Sequence, residues 1–311
     1  MIISASYKTD IPAFYGEWFM NRLRAGFCMM VNPYNRHQAL RVSLRREDVN
    51  GFVFWTKNLG PFLGKLAEVQ ARGFPFVVQY TINAYPRKLE FSVTDASRAL
   101  NHAKQVSQQY GPNVLVWRYD PIVFSSETRP ESHLENFAWL AARLEGITDE
   151  VVISFAQIYK KTKKNMDWAG REFGFTWNDP DDDQKRSLMH DLYKIASQHK
   201  MQLSLCSQPY LLGPSVCVSE ARCVDARRLS ALANTDIHVR LRGARKECGC
   251  FESRDIGDYD TCPHGCVYCY AVQNRKLAQR RFRQHDPESE FLFSPSIPVE
   301  NKKTETIQPL F

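Results

Sequence analysis

Short apolar runs alternate along this chain with longer segments whose apolar residues recur every three or four positions. Some runs, such as Phe76–Thr81, are almost continuously apolar, which is typical of parallel strands that are covered on both faces. The strands predicted from these runs are Ile2–Ser6, Phe27–Val31, Phe52–Thr56, Phe76–Thr81, Val114–Trp117, Val151–Phe155, Gln202–Cys206 and Ile237–Leu241.

The intervening segments predict helices, because an apolar residue at every third or fourth position forms one helix face. They include Phe14–Leu23, Leu59–Ala71, Ala96–Gln109, His133–Leu144, Gln184–Gln198 and Ala221–Ala233. About eight β–α units in about 250 residues favour an α/β fold of the (β/α)8 barrel type. An open, doubly wound sheet is the alternative.

The composition changes towards the end of the chain. We expect a (β/α) barrel in residues 1–245 and a cysteine-rich segment in residues 246–293 that packs on the barrel mouth. Residues 294–311 are predicted to form a flexible, disordered tail, because they contain few apolar residues and several prolines and charges.

Composition and cysteine usage limit the classes of protein to consider. The start of the chain lacks the pattern of a secretory signal peptide, and no apolar run approaches the roughly 20 residues of a membrane span. We therefore expect a cytoplasmic protein with no membrane partner. In a reducing compartment, nine cysteines favour metal ligation over disulfides. The net charge of +7 permits an anionic partner without requiring one.

Three of the cysteines, Cys262, Cys266 and Cys269, have the spacing C-x3-C-x2-C. Thiols this close on one loop can point at one centre, and three thiolates leave one iron of a cubane cluster without a protein ligand. A structural zinc site usually has four protein ligands. The loop therefore favours a [4Fe–4S] cluster, with zinc as the alternative.

The run Gly265-Cys-Val-Tyr-Cys-Tyr270 resembles the signature of radical S-adenosylmethionine (radical SAM) enzymes, and especially that of spore photoproduct lyase. The resemblance implies that the three thiolates hold a [4Fe–4S] cluster and that Tyr268 packs against it. It also implies that S-adenosylmethionine binds the open iron and is cleaved by one electron from a donor such as ferredoxin or flavodoxin. Two features depart from that pattern: the loop follows the last predicted strand, and no Gly-Gly-Glu run is present.

Most of the chain resembles an uncharacterised prokaryotic family, domain of unknown function 1848. The matching stretches are Ser6–Tyr15, Phe54–Asn58, Trp117–Ile122 and Asp255–Cys262. This resemblance implies a fold and a cluster more firmly than it implies a reaction.

Four more cysteines suggest a second metal site. Cys206 ends a predicted strand, Cys223 begins a helical segment, and Cys248 and Cys250 precede the loop. Together they can close an auxiliary [4Fe–4S] cluster that has no open iron. The alternative is that Cys206 and Cys223 are ordinary buried thiols.

Polar residues at the ends of predicted strands are candidate catalytic residues, because a barrel builds its site there. They are Asp10, Lys57, Arg118 and Asp120. Lys57 can grip a carboxylate or phosphate, and Asp120 can hold a ribose hydroxyl or Arg118 itself. The alternative for Arg118 and Asp120 is a structural ion pair.

The end of the chain suggests partners. A basic segment close to the cysteine loop is suited to phosphate contacts and comprises Arg275, Lys276, Arg280, Arg281 and Arg283. Three tail residues, Gln308, Leu310 and Phe311, resemble the short peptides that dock onto the replication sliding clamp.

The resemblance to radical SAM enzymes and to spore photoproduct lyase, a DNA repair enzyme, implies reductive cleavage of S-adenosylmethionine to act on nucleic acid, in DNA repair or modification. Two alternatives remain. One is an electron-transfer or redox-responsive binding protein without radical chemistry, and the other is a radical enzyme that modifies a peptide or metabolite.

Overall fold

A computed structural model describes residues 1–32, 35–213, 217–243, 247–295 and 300–302. The strands are β1 (Ile2–Ala5), β2 (Phe27–Asn32), β3 (Asn35–Ser43), β4 (Gly51–Thr56), β5 (Phe76–Thr81), β6 (Leu115–Ile122), β7 (Phe124–Ser125), β8 (Glu150–Phe155), β9 (Trp177–Asn178), β10 (Gln202–Leu205), β11 (Ser219–Glu220), β12 (Ser253–Asp255) and β13 (Glu300–Lys302). The helices are α1 (Ile11–Phe14), α2 (Gly16–Ala25), α3 (Leu63–Ala71), α4 (Ala96–Tyr110), α5 (Pro130–Leu144), α6 (Lys160–Phe173), α7 (Asp182–Gln198), α8 (Ala226–Ala233) and α9 (Arg275–Arg283). Short 3₁₀ turns span Gly60–Phe62, Pro112–Val114 and Pro209–Leu211.

The largest element is an eight-stranded parallel sheet in the order β11-β10-β8-β6-β5-β4-β1-β12. Within this sheet, neighbouring strands follow one another in chain order, except that its last strand, β12, pairs with its first, β1. The mixed α/β fold and the large parallel sheet are therefore as predicted. Among the described residues, the hydrogen-bonded order ends at β11 and β12, so closure of the sheet into a barrel stays a prediction.

Two predicted strands are not in this sheet. Phe27–Val31 is a strand, but it pairs antiparallel with β3 in a separate three-stranded sheet. Ile237–Leu241 is not a strand; within it, Leu241 makes an isolated bridge to Phe251. Their places are taken by β11 and β12, which are two and three residues long and largely polar. Strands this short leave no hydrophobic period to detect.

Alternate residues of the strands enter two separate apolar clusters, because successive side chains point to opposite faces of a sheet. One face packs against helices, and Phe54 and Trp117 are among its buried members. The other face includes Val53 and Val116. It is covered by a later segment of the chain, which contributes Cys223 and, from α8, Leu229. The cysteine-bearing segment after β11 therefore lies against the face opposite the main helix layer.

Helix boundaries follow local sequence. Asp181 caps α7 through a capping box with Gln184, and Gly26 ends α2 with a φ of +77°. In the described part of the chain, no helix is both long and apolar enough to cross a bilayer. Because the eight strands run parallel, the loops at their carboxyl ends meet at one end of the sheet, and this end carries the candidate site.

Candidate metal centre

The cysteine loop is anchored to the carboxyl end of β1. Asp255, the last residue of β12, accepts hydrogen bonds from the Ser4 hydroxyl (2.8 Å), the Ser6 hydroxyl (2.7 Å) and the Tyr7 amide (3.0 Å). The base of the loop is closed where the Asp260 amide donates to the Ala271 carbonyl at 3.0 Å. These bonds fix where the loop leaves the sheet and where it returns.

The loop also pairs with the connection that follows β5. The Val267 amide donates to the Leu89 carbonyl at 3.0 Å, and the Ser92 amide donates to the His264 carbonyl at 2.9 Å. Gly265 makes this turn with a φ of +74°, and a Cβ there would lie 2.8 Å from Nε of Arg275. A side chain at this position would therefore strain the backbone and collide with Arg275.

Backbone donors surround the outer two thiols. Cys262 accepts hydrogen bonds from the backbone of His264 and Asp10, and Cys269 accepts from Ala271, at 3.3 Å, and Val272. These donors lower the pKa of each thiol but do not overcome desolvation, which raises the pKa of both. Backbone N–H donors stabilise thiolates, the form in which cysteine binds metals.

The middle thiol, Cys266, lies near charged side chains. Desolvation raises its pKa well above the usual value, and the positive charge of Lys57 opposes the rise. As whole residues, the three loop cysteines are partly buried. Across the described ranges, no group of three or more His, Cys, Asp and Glu side chains already surrounds a common point as the ligands of a bound ion do.

Lys57 follows β4 and joins a polar network with the loop. Its Nζ lies 2.8 Å from Oε1 of Glu90, and the same oxygen accepts hydrogen bonds from the Tyr268 hydroxyl and from Asn83 at 3.3 Å. Burial acts to lower the pKa of Lys57, but Glu90, Cys266 and Asp120 together raise it. The lysine is therefore held as a cation beside the cysteine loop.

Tyr268 is buried within this network. Burial and the nearby Glu90 carboxylate raise its pKa well above 10, so it remains a neutral hydrogen-bond donor. Its ring meets that of Tyr85 edge-on, with the centroids 6.1 Å apart.

Asp10 follows β1 and acts as a structural junction. One oxygen accepts from the Ala13 amide at 2.9 Å and caps α1. The other accepts from the Lys57 amide and lies near Nε2 of His264, both at 2.7 Å. These contacts tie the β1 and β4 ends to the cysteine loop, so Asp10 positions the loop.

Arg118 and Asp120 lie within β6, which continues to Ile122, and not at a strand end as predicted. They form an ion pair between the buried Arg118 and the partly buried Asp120, with Nη2 and Oδ2 2.7 Å apart. The guanidinium also donates to Oε1 of Gln79 at 3.1 Å and to Sγ of Cys223 at 2.9 Å. Asp120 accepts a further hydrogen bond from Ser154. The pair thus extends from the polar network towards the second group of thiols.

A cleft of about 180 Å³ opens beside the cysteine loop, and Lys57, Asn83 and Glu90 are among the residues that line it. Glu90 also forms an isolated backbone bridge with Cys266. The strand-end reasoning that selected Lys57 applies equally to Asn83, which follows β5. Glu90 lies seven residues further along that connection, so its approach to the loop depends on tertiary structure and no sequence signal marked it.

A wider, open groove of about 390 Å³ lies beside the residues that follow Cys269. It is lined by Tyr159, Lys160, Lys161, Lys164, Asn165 and Gln273, which we call the basic groove. The Asn165 side chain donates to the Val272 carbonyl at 3.3 Å, and Lys161 is close enough to lower the pKa of Cys269. Sequence reasoning missed α6 and its lysines because the helix has few apolar residues.

All five basic residues predicted after the loop lie on α9. The Arg275 guanidinium covers the Phe91 ring at 4.0 Å, and Arg281 donates to the Tyr259 carbonyl at 2.8 Å. Lys276, Arg280 and Arg283 are exposed. Gln308, Leu310 and Phe311 fall outside the described residues.

The second predicted group of thiols comes together as well. Sγ of Cys206 lies 3.4 Å from Sγ of Cys223, and Cys250 interacts with Cys223 and Cys248. Cys28, in contrast, is fully buried in the apolar core.

Comparison with known proteins identifies the chain at the level of its family. No curated protein matches it. One family model, described as a domain of unknown function (DUF1848), matches residues 2–271. That match spans the sheet, its helices and the whole cysteine loop, and the chain therefore belongs to the DUF1848 family.

Proposed function

We propose that this protein is an iron–sulfur enzyme of the radical SAM type, with a [4Fe–4S] cluster on Cys262, Cys266 and Cys269. The observation that carries the proposal is the setting of these thiols. They share one anchored loop at the carboxyl end of a parallel sheet, backbone N–H groups point at two of them, and a charged cleft lies beside them. The donor set fits an iron–sulfur cluster with one open iron.

The residues beside the loop also suit S-adenosylmethionine, whose methionine part is a zwitterion. Lys57 would meet its carboxylate and Glu90 its ammonium group. This opposite-charge pair lies 2.8 Å apart and lines the cleft, so it offers both partners that the zwitterion needs. When bound, the cluster would supply the electron for reductive cleavage of this cofactor, with ferredoxin or flavodoxin as the donor.

The strand order supports a (β/α)8-type barrel as the scaffold. Successive strands are neighbours, and β12 returns to pair with β1, as in a cylinder. The opening would then lie between β11 and β12. In such a fold Lys57, Asn83 and Asp120 would face one central site.

Nucleic acid is the substrate class that the surface favours. The basic groove combines lysines with the exposed ring of Tyr159, and its rim reaches the end of the cysteine loop through Asn165. Lysines can neutralise phosphates and exposed aromatic rings can stack on bases. We therefore propose that the enzyme acts on DNA, in repair or modification.

The test is anaerobic reconstitution of the full chain with iron and sulfide, followed by reduction with dithionite in the presence of S-adenosylmethionine. We expect about four irons on the cysteine loop and formation of 5′-deoxyadenosine and methionine. Cys217→Ser is the matched control, because Cys217 is exposed and belongs to neither thiol group.

Two outcomes would contradict the proposal in different ways. A protein that takes up no iron on the loop excludes the cluster. A cluster-loaded protein that neither forms 5′-deoxyadenosine nor changes its electron paramagnetic resonance spectrum with S-adenosylmethionine excludes radical chemistry. The second outcome would favour an electron carrier instead.

A further inference from the structure

Four thiols outside the cysteine loop gather near β11, at one edge of the eight-stranded sheet. Among the described residues, β11 and β12 share no hydrogen-bonded ladder. Cys206 directly follows β10, Cys223 follows β11, and Cys248 and Cys250 precede β12. The chain thus delivers thiols from three separate segments to one place.

The backbone between these thiols is closely fitted. A Cβ on Gly249 would lie 2.9 Å from the carboxylate of Glu220, so this segment runs directly against β11. The Phe251 amide donates to the Val224 carbonyl at 3.0 Å, which holds the segments bearing Cys223 and Cys250 together.

The sulfurs form a chain of neighbours, Cys206 to Cys223 to Cys250 to Cys248. The Cys206 and Cys223 sulfurs are 3.4 Å apart. Two thiol sulfurs also have N–H donors: Arg118 Nη1 lies 2.9 Å from Cys223 and the Val224 amide 3.3 Å from Cys250.

We propose that Cys206, Cys223, Cys248 and Cys250 bind a single tetrahedral zinc ion that fastens the segment before β12 to the ends of β10 and β11. The Arg118 cation and the Val224 amide would offset part of the negative charge of four thiolates. The site does not depend on the proposed function of the cysteine loop, because it shares no ligand with it.

The sulfur spacing is the reason for one ion and not a cubane. Zinc–sulfur bonds of about 2.3 Å place the sulfurs of a tetrahedral site about 3.8 Å apart, close to the 3.4 Å between Cys206 and Cys223. A cubane binds each cysteine to a different iron, so its ligand sulfurs lie farther apart. This spacing favours zinc over the auxiliary [4Fe–4S] cluster that the sequence predicted for these four residues.

The four sulfurs follow one another and do not yet surround one point, in line with the lack of a ready-made ligand group among the described residues. Closing a tetrahedron therefore requires rotation of cysteine side chains. The strand ends and the Phe251–Val224 hydrogen bond already bring the backbone together.

The experiment is metal analysis of the full chain carrying the triple substitution Cys262→Ser, Cys266→Ser and Cys269→Ser, which removes the proposed cluster ligands. We expect one zinc per chain and no iron. Replacement by Co²⁺ should give the intense absorption of tetrahedral thiolate cobalt. A further Cys250→Ser should lose the full equivalent of metal, whereas Cys217→Ser should retain it.

Because Cys250→Ser can impair folding, the metal-stripped triple variant is also titrated with Co²⁺ and its free thiols are counted. Saturation at one Co²⁺ per chain with protection of four thiols supports the site. Four irons in the triple variant would establish an auxiliary cluster and overturn the zinc assignment. Four reactive thiols with no bound metal, or a Cys206–Cys223 disulfide, would overturn the site itself.

Discussion

The two thiol groups differ in how the chain assembles them. Cys262, Cys266 and Cys269 stand on one short loop, so their proximity follows from covalent spacing. The other four come from three segments, the first two separated by a 3₁₀ turn and β11 and the last two by α8, so their proximity follows from the fold. The sequence alone therefore predicts that the first three thiols lie together. For the other four, the evidence that they lie together comes from the arrangement of the strands.

Their surroundings differ as well. The three loop cysteines are partly buried residues beside a cleft, and the positive charge of Lys57 acts to lower the pKa of Cys266 and Cys269. In the other group, Cys223 and Cys250 are buried, whereas Cys206 and Cys248 are partly buried. Arg118 is held against Cys223 by its pairing with Asp120. A thiol group that opens on a cleft suits a cluster that meets a small molecule, and a group enclosed between three chain segments suits an ion that holds those segments together.

The largest expected effect separates the two groups directly. Cys266→Ser removes one cluster ligand, so we expect iron to fall from about four per chain to near zero and 5′-deoxyadenosine formation to fall below detection. Zinc should stay at one per chain. Cys250→Ser should give the converse, with zinc lost and iron kept. If either substitution removes both metals while the fold is intact, the two groups form one site.

Arg118→Met tests whether the enclosed group depends on a buried cation. It leaves Asp120 without its partner and Cys223 without its donor, so we expect the unfolding free energy to fall by about 3 kcal/mol. Arg186→Met is the control, because Arg186 pairs with Asp183 at a similar distance of 3.0 Å on the surface. That change should cost less than about 1 kcal/mol. Equal losses in denaturant titrations would show that burial of the Arg118 pair is not important.

Lys57→Met tests the open group. Removing the lysine leaves Glu90 buried and leaves a bound carboxylate unpaired, so we expect affinity for S-adenosylmethionine to fall about thirtyfold, or about 2 kcal/mol. The control is Lys88→Met, because Lys88 pairs with Glu127 at the same 2.8 Å but is more exposed. Calorimetric titration of both cluster-loaded variants measures the difference. Unchanged binding in Lys57→Met would remove this residue from the site.

The sequence predicted elements best where hydrophobic period was long. Phe76–Thr81 was located to the residue, and the helix ending at Leu144 was located at its carboxyl end. Sequence-based prediction failed for the short, polar strands β11 and β12. It also failed where the hydrophobic pattern cannot specify which strand pairs with which. Phe27–Val31 has the apolar character of a strand, but its pairing with β3 is a tertiary choice.

The same distinction applies to the site. Strand ends share one end of a parallel sheet, so Asp10, Lys57 and Asp120 could be placed near one another from order alone. The pairing of Lys57 with Glu90 could not, because it depends on the path of the connection after β5. The contact of Arg118 with Cys223 could likewise not be predicted from the sequence, since it joins residues more than a hundred positions apart.

The smallest expected effect concerns the surface around the open group. Lys160→Ala with Lys164→Ala removes two exposed cations from the basic groove, so the slope of log K against log salt for duplex DNA should become shallower by about 1.8. At moderate salt we expect roughly tenfold weaker binding, since two phosphate contacts are lost.

The matched control is Lys276→Ala with Arg283→Ala, which removes the same net charge from exposed positions on α9. The two double variants separate a local contact from a general loss of positive charge. If the basic groove binds phosphates, we expect a larger loss of DNA affinity for the α6 pair than for the α9 pair. The Asn165–Val272 hydrogen bond holds α6, and with it these lysines, beside the end of the cysteine loop. A larger loss for the α9 pair would move the nucleic-acid interface to the helix that the sequence first indicated. Equal and small losses would leave the groove without a role in binding DNA and would favour a peptide or metabolite substrate.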